Sequence, residues 1–389
     1  MSGGAEYVPG SKDYQDRFFE NDGKGNFRQL ENALPAETVS GACARVADID
    51  KDGLPDLFIG GQFSPGQFPV APESFILKNK SKAGTIRFEK DNAAHDPLLH
   101  RMGMVTDAVW SDINKDGWED LLVTGQFMSL HLFINQKGIL KDQTAGYQLN
   151  NTDGWWRRII ADDFDNDGDT DFIVGNIGLN SPFKASAQEP LSIIYGSFYV
   201  PNVINPVLCY YNGGVNYPWN TKDEIASQVP SVQKRFLHYE DYAKASVTDL
   251  LTKEQLERSS SVEVKMLQSV YIRNDGGNKF SIVPLPLYAQ MSALNGMAPM
   301  DIDNDGKKDL VISGNLYPFR VQTGPLDASI GLILKGDGNG QFTPLPYTQT
   351  GLFIDGDVRN MIGIKNKNGL LLVVAKNDGK VQVLNRIRK

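Results

Sequence analysis

The chain has 389 residues, of which 22% are charged and 41% are hydrophobic, which is the balance of an ordinary globular protein. Its formal net charge of −8 excludes the basic surface that nucleic-acid binding requires. The longest apolar run, residues 370–375, is far too short to cross a bilayer, and residues 1–7 lack the basic and apolar segments of a secretory signal.

One acidic pattern occurs four times along the chain, and we call each copy an acidic loop. The pattern is Asp-x-Asp-x-Asp-Gly-x-x-Asp, with Asn at the third position of the second copy. The copies span residues 48–56, 112–120, 163–171 and 301–309. Each is flanked by short apolar segments, which predict buried strands, and the Asp-Gly step favours a hairpin.

A second motif lies between the acidic loops and consists of a strand-like segment, Asn, a Gly-rich turn and Phe. Clear copies span residues 18–27 and 271–280, and weaker copies span residues 75–88, 132–140 and 332–342. These copies predict an outer hairpin beside each inner one. Four-stranded units repeated in this way are typical of β-propeller blades. We therefore predict an all-β fold, a single β-propeller domain over residues 1–389 with six or seven blades.

Three segments need separate interpretation. The hairpin within residues 14–30 precedes any inner hairpin, so in a closed ring it would complete the C-terminal blade. Residues 364–372 have the shape of an acidic loop without its carboxylates, which predicts a blade without calcium. Residues 197–205 have two open interpretations, a decayed copy of the acidic loop or the outer hairpin of the third blade.

Residues 221–268 interrupt the repeats. They are rich in charged helix formers, their apolar residues recur at helical spacing, and Thr252 with Gln255 resembles a capping box. We predict a small helical insertion within the propeller.

The spacing of carboxylates in the acidic loops predicts calcium binding. Calcium takes six to eight oxygen ligands, and Gly at position 6 allows the loop to coil around the ion. Position 12 is apolar in all four copies, so the closing Glu of an EF-hand is missing and position 9 must close the shell instead. Magnesium is less suited because it prefers rigid octahedral sites that retain water. We predict about four structural calcium ions.

The predicted ligands are the side chains at positions 1, 3, 5 and 9 and the carbonyl group at position 7 of each loop. In chain order they are Asp48, Asp50, Asp52, Leu54 and Asp56; Asp112, Asn114, Asp116, Trp118 and Asp120; Asp163, Asp165, Asp167, Asp169 and Asp171; and Asp301, Asp303, Asp305, Lys307 and Asp309.

Together, the acidic loop in a hairpin and the strand–Asn–Gly–Phe motif resemble the FG-GAP/VCBS repeat propellers, the type found in integrin α-subunits. The resemblance covers nearly all the chain outside residues 181–268. The family's Phe-Gly…Gly-Ala-Pro signature is missing, and segments such as Gly60-Gly61-Gln62 stand in its place. The resemblance implies calcium on one face of the ring and ligand recognition on the opposite face. Bacterial relatives imply a secreted or surface-anchored protein.

Candidate ligand residues lie where the chain enters or leaves inner strands, at the end opposite the acidic loops. Aromatic rings beside an Arg suit stacking on a sugar or gripping a peptide. The candidates are Trp155, Trp156, Arg157, Asn315 and Tyr317. Packing of the tryptophans between blades is the competing interpretation.

The sequence contains no catalytic constellation, since its four histidines lack metal-ligand spacing and neither a nucleophile elbow nor a phosphate loop is present. We therefore expect a non-enzymatic recognition or assembly module for a protein or glycan ligand, as part of a larger surface protein or complex. The alternative is a calcium-assisted polysaccharide lyase or hydrolase built on the same scaffold.

Overall fold

A computed structural model describes residues 7–319, 323–367 and 369–385. The strands of these residues pair antiparallel in seven separate sheets. The chain begins with a short 3-10 helix, Lys12–Tyr14, and a two-stranded hairpin. The hairpin consists of β1 (Phe18–Asn21) and β2 (Phe27–Leu30).

Two blades follow, each with an inner strand, a second strand returning from the acidic loop, and outer strands alongside. The first blade consists of β3 (Ser40–Ala47), β4 (Asp56–Phe63), β5 (Phe75–Asn79) and β6 (Phe88–Lys90). After a 3-10 helix, Pro97–His100, the second blade consists of β7 (Met104–Ser111), β8 (Asp120–Met128), β9 (His131–Gln136) and β10 (Ile139–Asp142), and the short β11 (Gly154–Trp155) pairs with β8.

The third blade is interrupted by an inserted unit with its own sheet. Its inner strands are β12 (Arg158–Asp162) and β13 (Asp171–Gly175). The inserted unit begins with strands β14 (Leu191–Gly196), β15 (Asn205–Asn212) and β16 (Val215–Pro218). Five helices follow, which are α1 (Lys222–Gln228), α2 (Pro230–Arg235), α3 (Tyr239–Ala243), α4 (Val247–Leu250) and α5 (Lys253–Glu257). Strand β17 (Ser260–Val264) then completes the insert sheet. The third blade resumes with β18 (Val270–Asn274), which pairs directly with β13, and β19 (Phe280–Pro284).

Two more blades complete the described chain. After a 3-10 helix, Leu287–Gln290, the fourth blade consists of β20 (Gly296–Met300), β21 (Asp309–Ser313), β22 (Leu332–Gly336) and β23 (Phe342–Leu345). A short helix α6 (Tyr347–Thr350) leads to the fifth blade, which consists of β24 (Val358–Asn366), β25 (Gly369–Lys376) and β26 (Gln382–Asn385).

Apolar clusters fill the spaces between consecutive blades. Phe58 and Ile76 of the first blade pack with Leu121 and Phe133 of the second. Corresponding clusters join the second blade to the third, the third to the fourth and the fourth to the fifth. Full burial of one such side chain contributes roughly 1.5–3 kcal/mol, so packing between blades holds the inner strands in a radial series. The all-β propeller architecture predicted from the repeats is confirmed.

Several details differ from the sequence-based expectations. Within the described residues the radial series contains five blades, so the expected number of six or seven is not confirmed. The β1–β2 hairpin is a sheet of its own and does not complete the C-terminal blade, because β26 takes the place beside β25. Phe18 packs instead on Phe88 of the first blade, with ring centroids 5.8 Å apart.

The predicted helical insertion is present and belongs to a larger unit. Five short helices lie within residues 222–257 and pack on the insert sheet, whereas residues 260–264 form strand β17. Thr252 and Gln255 form the predicted capping box at the start of α5. Residues 197–204 connect β14 to β15, so they are not the outer hairpin of the third blade, which is β18–β19.

Residues 364–372 form a hairpin between β24 and β25, in the part of the chain where a loop without carboxylates was expected. Asn368 of that segment lies outside the described residues. Among the helices of the described residues, none combines the length and the apolar character that a membrane crossing needs.

Candidate functional site

Each acidic loop is the tight connection between an inner strand and the second strand of its blade. Position 4 has a left-handed backbone in every loop, as does Gly at position 6; in the first loop φ is 59° at Lys51 and 85° at Gly53. A side chain is strained at such angles, which explains Gly at position 6. The two left-handed residues coil the loop, so that its side chains at positions 1, 3 and 9 turn inward.

The carboxylate at position 9 is buried and fastens the loop to the blade. Asp56 Oδ2 accepts the N–H of Ile49 at 3.3 Å, and its Oδ1 accepts the N–H of Asn79 on β5 at 2.8 Å. The same two bonds recur at Asp120, Asp171 and Asp309. Position 9 therefore has a structural role as well as the ligand role that the sequence suggested.

The carboxylates at positions 1 and 5 also bond within the loop. Asp48 accepts the N–H groups of Asp52 at 3.1 Å and of Gly53 at 3.0 Å, and Asp52 accepts the N–H of Leu54 at 2.9 Å. These bonds hold the loop closed around its centre. The predicted ligation by the position-7 carbonyl groups remains a prediction.

Three of the four loops bring carboxylates together in a geometry that suits a metal ion. In each, ligand oxygens at positions 1, 3 and 9 all lie within 4.8 Å of one another. The clusters are Asp48, Asp50 and Asp56; Asp163, Asp165 and Asp171; and Asp301, Asp303 and Asp309. Oδ1 of Asp50 and Oδ1 of Asp163 are buried and have no hydrogen-bond partner among the described residues, as expected for atoms placed to bind a cation.

The second loop differs because Asn114 occupies position 3. The Asn114 side-chain amide donates to Asp116 Oδ2 at 3.0 Å, and its carbonyl oxygen accepts the Asp116 N–H at 3.0 Å. The uncharged amide takes the place of one carboxylate, so this loop has less negative charge for a cation to balance. This loop is therefore the poorest of the four in negative ligands.

Two lysines that the sequence analysis missed reach into acidic loops. Lys78 on β5 lies 2.8 Å from both Asp50 Oδ2 and Asp56 Oδ2, and its side chain is only 9% exposed. Lys335, at the equivalent place on β22, contacts Asp303 and lies 3.4 Å from Asp305 Oδ2. Each ammonium group supplies positive charge at the place where a bound cation would supply it. The sequence signal for these contacts was a Lys at the next-to-last residue of the third strand of its blade.

The third loop has no lysine of its own blade at this place. Tyr271 donates its hydroxyl to Asp171 Oδ2 at 2.7 Å, and the equivalent basic residue, Arg273, pairs with Asp275 instead. Burial raises the pKa of Asp171 to about 6. Burial and repulsion from Asp167 raise the pKa of Asp165. The three clustered carboxylates of the third loop have no lysine ion pair among the described residues, since Lys115 of the second loop pairs with Asp169 instead, and a divalent cation would relieve the repulsion that remains between them.

The electrostatics of the other loops follow the same logic. Burial raises the pKa of Asp120 to about 6. Burial also acts to raise the pKa of Asp50, but the hydrogen bond and charge of Lys78 outweigh it and lower that pKa. The Lys335 hydrogen bond lowers the pKa of Asp303. The lysine contacts therefore leave the first and fourth loops with less negative charge for a metal ion to balance.

The four acidic loops lie side by side on one face of the propeller, which we call the acidic face. The Lys51 ammonium lies 4.3 Å from the Trp118 ring centroid, and Lys115 pairs with Asp169, so each contact links one loop to the next. Asn166 of the third loop donates to the Gly338 carbonyl of the fourth blade at 3.4 Å.

The Asn of the second motif has a specific role on this face. The Asn135 side-chain amide donates to the Ile49 carbonyl of the preceding blade's loop at 3.0 Å, and Asn274 donates to the Ile113 carbonyl at 3.2 Å. These bonds fix the first and second acidic loops against the next blade. They explain why Asn precedes the Gly-rich turn.

The structure separates the five predicted ligand residues. Trp156 is fully buried and donates its indole N–H to the Thr152 carbonyl, so its ring is not available to a ligand. Asn315 is also buried and donates to the carbonyl groups of Ser329 and Gly356. Both side chains therefore stabilise the fold. For Trp156 this agrees with the competing interpretation, in which the tryptophans pack between blades.

The other three candidates do not form one site. Trp155 is half-buried and packs against Phe127 and Phe183, with ring centroids 4.8 and 5.8 Å away, where the insert sheet meets the second blade. Tyr317 is 48% exposed and lines a separate cavity beside Asp355 and Asp357. Arg157 lines a cavity at the centre of the ring, opposite the acidic face.

Comparisons with known proteins agree with the repeat pattern. A family model described as FG-GAP-like repeat matches residues 3–59 and 112–174, which include the first three acidic loops. FG-GAP-like repeats are therefore present in these segments. No curated protein matches the sequence.

Several solved structures are similar at low identity. An Agrocybe aegerita lectin, solved to explain recognition of non-reducing terminal N-acetylglucosamine, is 14% identical over 92% of this chain and 85% of its own, with a TM-score of 0.35. BBS1N in complex with ARL6DN is 11% identical over 88% and 79%, with a TM-score of 0.33. The exotype rhamnogalacturonan lyase YesX is 12% identical over 96% and 57%, with a TM-score of 0.34.

Proposed function

We propose that this protein is a calcium-stabilised propeller module that recognises a protein or glycan ligand without catalysing a reaction. The observation that carries the proposal is the set of three-carboxylate clusters on one face of the ring, at Asp48, Asp163 and Asp301 and their partners. A cation there closes each hairpin and links neighbouring blades. The opposite face, where the loops lead into the inner strands, is then left to contact a ligand.

Calcium is the ion that suits these clusters. Carboxylate oxygens in flexible loops match its preference for six to eight oxygen ligands at variable angles. The residues that would hold it are those at positions 1, 3 and 9, with position 5 and the position-7 carbonyl completing the shell. Bound calcium supplies positive charge and fixed geometry, and the chain's own hydrogen bonds orient the carboxylates around it.

The proposal places the module outside the cell, on a bacterial surface or in a secreted complex. Exposed loops of this kind resemble extracellular calcium modules, which bind at roughly 10⁻⁴–10⁻³ M and are filled only where calcium is abundant. Lys78 and Lys335 lower the need for an ion in two loops and so favour weak binding there.

Recognition is better supported than catalysis by the central cavity opposite the acidic face. Its described lining carries Arg, Thr, Asn and Gln side chains and no His, Tyr, Lys or carboxylate. Arg can hold an anion, but a lyase or hydrolase also needs a group that transfers protons near neutral pH. The polysaccharide-active alternative therefore lacks an acid–base group at this cavity.

The test is a binding screen in which products are also measured. The immobilised protein is incubated with a glycan array and with candidate surface proteins, in millimolar calcium and in EGTA, and soluble glycans are analysed by mass spectrometry afterwards. We expect retention of a ligand in calcium, loss of retention in EGTA, and unchanged glycan masses. Unsaturated or shortened products from the wild-type protein would contradict a non-enzymatic role.

A further inference from the structure

A polar cavity of about 240 Å³ lies where the inner strands of all five blades begin. We call it the channel mouth. Each blade contributes to its lining, which consists of Gly41, Ala42, Gln62, Thr106, Arg157, Arg158, Asn295 and Arg359. Because the inner strands run from this cavity to the acidic loops, the channel mouth lies at the end of the ring opposite the acidic face.

The channel mouth carries more positive than negative charge. Asp107 is fully buried and already pairs with Arg45 and, at 3.2 Å, with Arg158. Asp357 is buried and pairs with Arg359 at 2.6 Å. With Arg157, four guanidinium groups therefore face two carboxylates. Asp107 pairs with two of them, whereas Asp357 pairs with Arg359 through Oδ2 and keeps a buried Oδ1 without a hydrogen-bond partner among the described residues.

Arg157 is the guanidinium without an acidic partner among the described residues. Its Nε donates to the neutral Asn295 Oδ1 at 2.9 Å, which leaves the terminal N–H groups for the cavity. Burial and repulsion from Arg359 lower the pKa of Arg157 to about 10. Arg157 is half-buried, and Asp357 attracts it without forming an ion pair, so its charge is only partly compensated and a bound anion would lower the cost of desolvating it.

The remaining lining indicates which kind of anion fits. Gln62 offers an amide group, and the largest apolar side chain in the lining is the methyl group of Ala42. Thr106 donates its hydroxyl to backbone carbonyl groups and can still accept a hydrogen bond, whereas the Asn295 amide is engaged by Arg157 and by the Asn315 carbonyl. Pockets for drug-sized ligands are roughly 300–1,000 Å³, so this smaller cavity suits one residue of a longer ligand. A hydroxylated carboxylate satisfies the arginines through its charge, and its hydroxyl groups can bond to Gln62 and Thr106.

We propose that the channel mouth binds the carboxylate of an acidic sugar residue, with Arg157 and Arg359 as its principal contacts. The inference rests on the proposed recognition function and names the ligand class for the same face. It assigns no role to the acidic loops beyond holding the ring.

The experiment is isothermal titration calorimetry of the calcium-loaded chain with sodium glucuronate, glucose and N-acetylglutamate at low ionic strength, where charge attraction is least screened. We expect glucuronate to bind with 1:1 stoichiometry and glucose to give no heat. Arg157→Gln and Arg359→Gln should each weaken glucuronate binding about tenfold or more, since a charge-assisted fork is lost. The matched control is Arg28→Gln, whose side chain is 76% exposed on β2 and which should bind as the wild type does.

A melting curve of each variant separates a binding role from a structural one. Arg157→Gln removes a half-buried guanidinium that forms no ion pair among the described residues, so its melting temperature should equal or exceed that of the wild type; if this variant fails to fold, Arg359→Gln decides. Equal glucuronate affinity in the wild type and both variants would overturn the proposal, as would tighter binding of N-acetylglutamate. A wild-type protein that binds neutral glycans or proteins but not glucuronate would overturn the carboxylate assignment and leave the proposed recognition function intact.

Discussion

At the scale of single residues, Lys78 decides how the first acidic loop is neutralised. Its buried ammonium group lies between the carboxylates at positions 3 and 9, at 2.8 Å from each. A divalent cation at the same place must displace it or share the site with it. Loops with three carboxylates therefore differ in their demand for metal, although their sequence patterns are nearly identical.

Replacement of Lys78 by Met tests this competition. Without calcium the variant should be less stable than the wild type, because Asp50 and Asp56 lose their counter-charge. With calcium it should gain more in melting temperature than the wild type does, because the ion no longer competes with an ammonium group. The measurement is the calcium-induced shift in melting temperature, compared with that of Lys244→Met, whose exposed side chain directly follows α3. A shift no larger than that of the wild type would contradict a competing role for Lys78.

At the scale of elements, the Asn before the Gly-rich turn joins the second blade to the first and the third blade to the second. Asn274 is buried at the end of β18, and its amide donates to the Ile113 carbonyl in the acidic loop of the preceding blade. Its backbone N–H is accepted by Asp171. Asn274, at the end of β18, thus forms hydrogen bonds with both the second and the third acidic loop.

Asn274→Ala should therefore cost about 1–3 kcal/mol in the free energy of unfolding, because the Ile113 carbonyl loses its buried partner. The backbone bond to Asp171 remains. Urea denaturation in EGTA measures the loss without a contribution from metal. The exposed Asn92→Ala is the control and should change stability by less than about 0.5 kcal/mol. Equal midpoints for the two variants would show that the amide bond does not stabilise the junction.

At this scale the sequence predicts blades well and connections poorly. The acidic loops and Gly-rich turns mark inner and outer hairpins because both depend on local backbone geometry, as the φ values at Lys51 and Gly53 show. The insert sheet was missed because its strands carry no repeat motif, and residues 197–204 share only turn residues with the acidic loop. The pairing of β13 with β18 spans that whole insert and is set by packing.

The candidate site divides in the same way. Ligand positions 1, 3 and 9 could be predicted because one loop supplies all of them. The lysine contacts, the burial of Trp156 and the arginines of the channel mouth could not, since each joins residues far apart in the chain. Arg157 was a candidate on sequence grounds, but its neighbour Arg359 lies two blades further on and shares no motif with it.

At the scale of the whole molecule, the propeller has two ends with opposite chemistry. Carboxylate clusters at one end hold hairpins and neighbouring blades together, whereas guanidinium groups at the other surround a cavity. If a cation binds at the acidic face as proposed, we expect it to hold each loop in place and thereby to keep the channel mouth in shape. Metal binding and the proposed ligand recognition would then be coupled through the integrity of the ring, with no conformational switch required.

The most direct test of this account is the melting temperature of the chain in millimolar calcium and in excess EGTA. Sites with a Kd of roughly 10⁻⁴–10⁻³ M are held at about 1–10 times their Kd in millimolar calcium, and each then adds about 0.4–1.4 kcal/mol, so three clusters predict a fall of about 1–5 °C when calcium is removed. Asp163→Asn together with Asp165→Asn should reduce that fall, whereas the exposed Asp241→Asn should not. An identical melting temperature of the wild type in calcium and in EGTA would contradict the claim that cations at the acidic loops hold the ring together.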